Sequence, residues 1–316
     1  MIEGIPRISV RIITYKQEEL IKRAINSLLT QKDYIYEICV SDDCSQDHTW
    51  DVLQEYARQY PGLFKLNRNV PNKGIFENIE ISWGMPTGDI VYGLAGDDEC
   101  GEGWFKTVIE FIQKKGIDYK NELFCIYGDY KNVYPNGDSF VFRNDLIRRH
   151  DIPALKLSHR GLIGNRSACY SINVLRKFQK VSQGRSHIAE SAIDRQLQIF
   201  SEKNYYINRV GNIYYANIGV CVGMSVKDRE EREQIWTYTK QFFDKNGIVL
   251  DQKDLLYGNY IDACNKKDGS FLNKLICFWH FIRSYDPKIG IRCFRLRRTL
   301  FAIVRRIPHK KPIHWK

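Results

Sequence analysis

The sequence predicts an α/β fold in which a mostly parallel sheet is flanked by helices, with a helical appendage at the C-terminal end. Strand-like and helix-like segments alternate from Ile8 to Leu94, as they do when crossover helices join parallel strands. Beyond residue 225 the pattern is helical to the end, without repeats or a Pro/Ser-rich linker. The 316 residues suffice for one large α/β domain with an added region.

Each element has a local signal. Short apolar or alternating runs indicate strands, and apolar residues three and four apart indicate helices. The first four predicted strands are 7–13, 35–40, 64–66 and 90–94. The helices between them are 17–29, 47–60 and a segment that follows the turn 71–74 and ends near Trp83. Later predictions are strands at 124–127, 205–210 and 212–216, a hairpin turn at 134–138 and a helix at 188–200.

Two acidic pairs follow predicted strands. Asp42 and Asp43 come after the second strand, and Asp97 and Asp98 after the fourth. In parallel α/β sheets, ligands bind beyond the carboxyl ends of the strands. Carboxylates there can accept hydrogen bonds from a nucleobase or ribose, whereas the alternative interpretation of this segment is a helix start capped by Ser45 or Asp47.

The run Asp97-Asp98-Glu99 suggests a cation site. Three successive acids are costly unless they are solvated or neutralised. A hard divalent ion takes one or two carboxylates together with phosphate oxygens, whereas the simpler interpretation is an acidic surface turn. In the helix 188–200, Asp194 could serve as a general base, although its spacing alone favours an ordinary surface acid.

Several enzyme classes lack their motifs. The chain contains no H-x-x-x-H pair, nucleophile elbow, P-loop or G-x-G-x-x-G sequence. The loop after the first strand, Thr14–Glu18, has no glycine, which also argues against a nucleotidyltransferase. The nine cysteines are scattered without metal spacing, so we expect reduced thiols and a cytoplasmic protein. The start of the chain shows no signal-like apolar segment, and no window reaches the length of a membrane span.

The positive charge is concentrated near the C-terminus. The whole chain carries +11, whereas residues 277–316 hold eleven Lys/Arg and one acid. Residues 288–307 form a basic amphipathic helical pattern, which is typical of association with an anionic membrane surface. The alternative is a helix that packs on the body with a solvated basic face. Without a nucleic-acid motif, we expect no nucleic-acid partner.

Between about Ile8 and Ser225 the sequence resembles family 2 glycosyltransferases, the inverting group with the Rossmann-like GT-A fold. The stretches that carry the resemblance are Ile8–Glu18, Ala24–Gln31, Ser41–Thr49, Asn72–Gly74, Gly88–Val91 and Gly96–Asp98. One departure is Ala95, which stands at the first position of the family's frequent Asp-x-Asp metal motif. The resemblance implies a catalytic domain at 1–225, with a donor half at 1–104 and an acceptor half at 105–225, before the basic region 226–316.

The resemblance also implies the chemistry. A sugar would pass, with inversion, from a nucleotide diphosphate sugar, expected to be UDP-linked, to a hydroxyl of a glycan or lipid-linked acceptor, as in bacterial surface polysaccharide synthesis. Mn²⁺ or Mg²⁺ is the implied cofactor, and residues 159–170 are expected on the acceptor side. The alternatives are an inactive nucleotide-sugar-binding protein, in view of Ala95, and a nucleotidyltransferase.

The resemblance assigns a role to each site residue. The expected donor-binding residues are Thr14, Tyr15, Asp42, Asp43, Asn72, Gly74 and Asp97. Asp98 is expected to be a metal ligand together with Asp97, and Asp194 to be the general base, with Glu190 as the alternative. The basic segment 288–307 adds the expectation of peripheral attachment to the inner face of the cell membrane.

Overall fold

A computed structural model describes residues 4–148, 154–159, 163–178 and 190–216, together with the isolated positions 218, 241, 243–247, 249, 276 and 279. The chain divides into two compact units, one of residues 1–148 and 165–235 and the other of residues 149–164 and 236–315. The predicted amphipathic segment 288–307 lies outside the described residues, so that helix and the boundary at residue 225 stay predictions. No helix of the described part is both long enough and apolar enough to cross a bilayer.

The observed elements follow the predicted order through the first half of the chain. The strands of the described residues are β1 (Ile8–Thr14), β2 (Glu37–Asp42), β3 (Phe64–Arg68), β4 (Ile90–Ala95), β5 (Glu99–Cys100), β6 (Phe124–Val133), β7 (Ser139–Phe142), β8 (Cys169–Ser171) and β9 (Lys203–Tyr215). The α-helices are α1 (Leu20–Leu29), α2 (Thr49–Gln59), α3 (Ile75–Trp83), α4 (Trp104–Lys115), α5 (Ala154–His159), α6 (Ile172–Arg176) and α7 (Glu190–Phe200). Short 3-10 helices cover Lys32–Tyr34 and Asp145–Arg148.

One sheet runs through the first unit in the order β3-β2-β1-β4-β8-β6-β9-β5, and β7 pairs with β6. Strands β1 to β4 pair with one another in parallel, as predicted. Strand β8 is antiparallel to both β4 and β6, and β9 is parallel to β6. The predicted α/β class is therefore confirmed, with a parallel first half and a mixed second half.

The core lies between this sheet and its helices. The buried residues of α1 are Ile21, Ala24, Ile25 and Leu28, whose spacing places them on one helical face. In β1, Ile8, Val10 and Ile12 are fully buried. Each such side chain contributes roughly 1.5–3 kcal/mol by leaving water, so the packing of helix on sheet holds the strand ends in register.

The second half differs from prediction at several elements, since α4, α6 and β8 were not predicted and β9 was expected as two strands. Residues 205–210 and 212–216 were expected to form two strands, but they belong to the single strand β9. Pairing with β6 continues past Gly211 through register shifts opposite Tyr127–Tyr130. The hairpin prediction is confirmed, because Tyr134 donates its N–H to the Asp138 carbonyl at 2.8 Å between β6 and β7.

Candidate active site

The loops after β1, β2 and β4 meet at one edge of the sheet. The Asp43 N–H donates to the Thr14 carbonyl at 3.0 Å, and the Gly96 N–H donates to the Ile13 carbonyl at 3.0 Å. These bonds continue the parallel ladders beyond the strands. They place Asp43 on one side of the β1 loop and the acidic turn after β4 on the other, at the carboxyl edge where ligands of such sheets bind.

Asp42 is occupied within its own loop. Its carboxylate accepts hydrogen bonds from the Ser45 hydroxyl and from the Ser45 N–H at 3.0 Å, and Arg68 Nε lies 3.5 Å away. Burial raises the pKa of Asp42, against the effect of the Ser45 bonds and the Arg68 charge. Asp47, rather than Ser45, accepts from the first residue of α2, Thr49. Asp42 therefore supports the turn and faces no open surface.

Asp43 holds the turn between β3 and α3. Its Oδ1 accepts from the Asn69 side-chain amide at 2.9 Å and from the Lys73 N–H at 2.8 Å, and its Oδ2 accepts from the Gly74 N–H at 2.8 Å. The Asn72 side chain donates to the Asp43 carbonyl at 2.6 Å. A carboxylate offers about four acceptor positions, so three bonds leave one for a donor group of a ligand.

Gly74 has a backbone that other residues adopt only with strain. At φ +82° and ψ 159° it precedes α3, and a Cβ there would meet nothing within 4 Å. We therefore expect Gly74→Ala to lower the free energy of unfolding by about 1–3 kcal/mol, measured by urea denaturation. The matched control is Gly84→Ala at the other end of α3, where φ is −81°. Equal losses in the two variants would contradict this explanation.

The β1 loop is packed tightly between its neighbours. Thr14 is buried, and its hydroxyl donates to Gln17 Oε1 at 2.9 Å. A Cβ on Gly96 would overlap Gln17 Oε1 and would lie 3.1 Å from the Ile13 carbonyl oxygen. A side chain at residue 96 would therefore require Gln17 to shift and would crowd the β1 loop. The neighbouring Tyr15 is partly exposed at this edge.

Two non-glycine residues at this edge have positive φ. They are Lys16, at φ 51°, and Cys44, at φ 61°. The Lys16 N–H donates to the Ser45 hydroxyl at 2.9 Å, and the Gln17 N–H donates to the Thr49 hydroxyl at 2.8 Å. The loops after β1 and β2 are thus bonded together in a constrained conformation, which is common where proteins preform a ligand site.

The acidic turn after β4 is held by Arg23 from α1. Arg23 donates to the Asp97 carbonyl, and its Nε lies 3.4 Å from Glu99 Oε1. The Arg23 guanidinium also lies 3.6 Å from the ring centroid of Tyr215, whose hydroxyl donates to Glu99 at 2.6 Å. Glu99 is therefore a structural partner in the turn, whereas Asp97 keeps a partly exposed side chain.

Asp98 is buried and faces a cation. Only 3% of the residue is exposed, and its Oδ1 accepts from the Tyr215 N–H at 3.3 Å. Its Oδ2 lies 3.6 Å from Nη1 of Arg166, whose guanidinium carbon lies 3.4 Å from the ring centroid of Tyr214. A buried carboxylate needs such compensation, so Asp98 sits in a place built to hold positive charge.

The donor atoms at Asp97 and Asp98 suit a hard divalent ion. Within the described ranges, no group of three or more His, Cys, Asp or Glu side chains could hold a metal. Mg²⁺ commonly takes one or two carboxylates, with substrate phosphates and water completing its shell. The Arg166 guanidinium shows that a cation fits against Asp98. The residues present therefore fit an ion shared with a bound diphosphate.

Helix α7, which carries Asp194, contacts the turn before β8. Because β8 is antiparallel to β4, the residues before Cys169 extend beyond the carboxyl end of β4. There the Asn165 side chain accepts from Gln198 of α7 at 2.8 Å. Asp194 precedes Gln198 by one helical turn on the same face and is partly buried.

The surroundings of Asp194 are aromatic. Burial raises the pKa values of Tyr127 and Tyr170 far above the ordinary tyrosine value, and the negative charge of Asp194 adds to both shifts. Its carboxylate therefore lies close enough to both tyrosines to influence their ionisation. Glu190 begins α7, and its side chain lies outside the described residues.

Arg23, Arg166 and Tyr215 were not predicted as site residues. Arg166 falls within the stretch 159–170 that was expected on the acceptor side, but nothing in its local sequence pairs it with Asp98. Arg23 lies on α1 among buried apolar residues. A charged residue at such a position is the sequence feature that could have indicated a role for Arg23. All three act through contacts between segments far apart in the chain.

Residues 9–169 match the family model described as glycosyl transferase family 2. An uncharacterized glycosyltransferase of Haemophilus influenzae is 24% identical over 191 residues, which is 57% of this chain and 56% of that protein. The putative glycosyltransferase EpsE of Bacillus subtilis is 28% identical over 109 residues, covering 34% of this chain and 39% of EpsE. The matches to an uncharacterized Mycobacterium tuberculosis protein cover 51% of this chain and 46% of that one at 27% identity. This chain therefore spans about half the length of the curated relatives that it matches.

Solved structures share the fold at low identity. S. aureus TarS in complex with UDP-GlcNAc has a TM-score of 0.59 at 14% identity, covering 95% of this chain and 87% of that chain. The mannosyltransferase PcManGT from Pyrobaculum calidifontis, in complex with GDP-Man and Mn²⁺, has a TM-score of 0.54 at 13% identity, covering 95% and 81%. The family match spans half of the sequence and these structures share its architecture; the chain belongs to glycosyl transferase family 2 and has the GT-A fold.

Proposed function

We propose that this chain is an inverting, metal-dependent glycosyltransferase with a UDP-linked donor. It transfers the sugar to a hydroxyl of a glycan or lipid-linked acceptor, as in the synthesis of bacterial surface polysaccharide. The observation that carries the proposal is the meeting of Asp43 and the Asp97–Asp98 turn on either side of the Thr14–Gln17 loop. Relatives support a nucleotide-sugar donor, since the similar structures were obtained with UDP-GlcNAc and GDP-Man.

The donor half supplies binding groups. Thr14, Tyr15 and the Asp43-braced turn at Asn72–Gly74 form the nucleoside side of the site, where Asp43 has one acceptor position left. Asp97 is placed to contact ribose or metal, and Asp42 contributes indirectly by holding the loop. Asp98, with Asp97, would hold Mn²⁺ or Mg²⁺, which neutralises the charge of the leaving diphosphate when bound.

Asp194 acts on the acceptor in this proposal. Its carboxylate accepts the proton of the acceptor hydroxyl as that oxygen attacks the anomeric carbon from the face opposite the diphosphate. Inversion follows from this single displacement, with an oxocarbenium-like transition state by analogy with glycoside hydrolysis. The partly buried position of Asp194 limits competition from water.

The acceptor half presents aromatic rings and amides in two cross-strand rows. One row consists of Phe140, Asn132 and Tyr214, and the next of Phe142, Tyr130 and Asn212. Tyr130 and Phe142 stack with centroids 4.8 Å apart at 15°. Among the described residues, no group accepts a hydrogen bond from the buried Asn132 Nδ2. Aromatic surfaces with a few polar groups are typical of small-molecule sites, which supports a glycan as the acceptor.

A donor screen tests the proposed function. Thermal unfolding of the full-length chain would be measured with UDP- and GDP-linked sugars, each with Mn²⁺ or with EDTA. We expect one donor class to stabilise the protein in Mn²⁺ only, by about 2.7 kcal/mol at a concentration of 100 Kd. Incubation with acceptor should then release the nucleotide diphosphate. If no nucleotide sugar raises the Tm in Mn²⁺, the proposal is wrong.

The location of the protein is a further part of the proposal. Residues 288–307 would attach it to anionic lipid at the inner face of the cell membrane, which suits a lipid-linked acceptor. This part is based on the sequence pattern alone. Flotation with anionic vesicles, comparing the full chain with a truncation after Pro287, tests it, and equal flotation of both proteins would contradict it.

A further inference from the structure

Arg166 pairs with Asp98, the carboxylate that we propose as the metal ligand. It lies in the turn before β8, where the Ala168 N–H donates to the Asn165 carbonyl at 2.9 Å. From there its Nη1 reaches to 3.6 Å from Asp98 Oδ2, and 40% of its side chain remains exposed. The Tyr214 ring supports the guanidinium from one side at 3.4 Å.

The two oxygens of Asp98 have different partners. Oδ1 faces the backbone N–H of Tyr215, and Oδ2 faces Arg166. A metal ion on Oδ2 would stand close to the guanidinium, and two cations repel each other strongly in a partly buried site. Binding of an ion to the free protein therefore requires Arg166 to leave Asp98, at the cost of their ion pair.

A nucleotide diphosphate would offer Arg166 a new partner. Guanidinium groups form paired, charge-assisted hydrogen bonds with phosphate oxygens. A diphosphate that shares an ion with Asp98 would lie beside that carboxylate, within reach of a long and partly exposed side chain. When the ion and the diphosphate bind together, the diphosphate therefore offsets the repulsion between the ion and the guanidinium that would oppose binding of the ion alone.

We propose that Arg166 makes the binding of the divalent ion and of the nucleotide diphosphate interdependent. It neutralises Asp98 while the site is free, and it passes to the diphosphate when donor and ion arrive together. Arg166 is a positioning residue in this scheme. The proposal rests on the proposed function, because it takes a diphosphate donor and a metal at Asp98. The coupling is reciprocal, so each ligand tightens the other by the same factor.

The test measures Mn²⁺ binding to the full-length chain by the EPR signal of free Mn²⁺, without nucleotide, with UDP and, in a parallel series, with GDP. For the wild type we expect weak Mn²⁺ binding alone, tightened by the matching nucleotide by a factor on the order of 5–150. Arg166→Met should bind Mn²⁺ alone more tightly than the wild type, and nucleotide should then tighten it by less than about fivefold.

Two further variants complete the design. Arg166→Lys keeps the charge beside Asp98 but loses the forked geometry, so it should bind Mn²⁺ alone as weakly as the wild type while its nucleotide coupling falls. If Arg166→Met does not fold, Arg166→Lys by itself still tests the proposal. The control is Arg58→Met, which removes an exposed arginine paired with Glu55 on α2 and should behave like the wild type.

The outcomes separate this inference from the proposed function. If nucleotide tightens Mn²⁺ binding equally in the wild type and both Arg166 variants, the role of Arg166 is wrong and the metal-dependent donor site stands. If Mn²⁺ binds to neither the wild type nor the variants with any nucleotide, the metal-dependent function fails, and the role of Arg166 fails with it.

Discussion

Asp98→Asn should lower the rate of sugar transfer by a factor of about 10²–10⁴. A metal ion at a leaving group supplies several kcal/mol of transition-state stabilisation, and each 1.36 kcal/mol is a factor of ten in rate. Asparagine has nearly the same shape, and its amide oxygen can still accept from the Tyr215 N–H. The expected loss is therefore of charge rather than of structure. The loss would be measured as the rate of sugar transfer at saturating donor, and Mn²⁺ binding to the same variant would be followed by EPR.

Two further variants, Asp97→Asn and Glu110→Gln, would be compared with Asp98→Asn. Asp97 has a partly exposed side chain while Arg23 holds its backbone carbonyl, so we expect a smaller loss of rate if it contacts mainly ribose. Glu110 is exposed on α4 and pairs with Lys106, and its change should leave transfer unaffected. A larger loss in Asp97→Asn than in Asp98→Asn would exchange the two roles. Near wild-type rates in Asp98→Asn would end the metal assignment.

Asp194→Asn should reduce kcat by about 10²–10⁴, the usual contribution of a general base, while donor affinity stays unchanged. The side chain lies on α7 rather than at the turns proposed to bind the nucleotide, and asparagine keeps its size. Donor binding measured by thermal stabilisation and single-turnover transfer measured in the same buffer would show the two effects separately.

Glu190→Gln is the decisive comparison for this second prediction, because Glu190 is the alternative base. We expect it to transfer sugar at a rate within a few-fold of the wild type. Asp33→Asn, on an exposed residue of the first 3-10 helix, controls for the loss of one acid. If Glu190→Gln lost turnover and Asp194→Asn kept it, the assignment would pass to Glu190.

The first half of the fold was predictable because its signals are local. Buried parallel strands and amphipathic helices carry short periodic patterns, and the observed bounds of β1 to β4 differ from the predicted ones by one or two residues. Their alternation also predicted that acids after successive strands would share one edge. That edge is observed, since the loops after β1, β2 and β4 are bonded together there.

Two strands of the second half show why prediction became harder. The break expected within β9 lies at Gly211, where a Cβ would lie 2.7 Å from the buried Trp104 ring. Glycine is present because a ring packs on the strand, not because the strand ends. Strand β8 has three residues, Cys169–Ser171, too few for a periodic pattern, and its place between β4 and β6 depends on pairing with both.

Local periodicity and chain order are sufficient to specify the α/β class, the order of the elements through β4 and the positions of Asp43, Asp97 and Asp98 after strand ends. What those acids contact depends on long-range packing. Asp43 bonds to residues 30 and 31 positions away, and Asp98 accepts from a residue 117 positions away. Such partners are chosen by the closure of the sheet and the packing of helices, which no local pattern encodes.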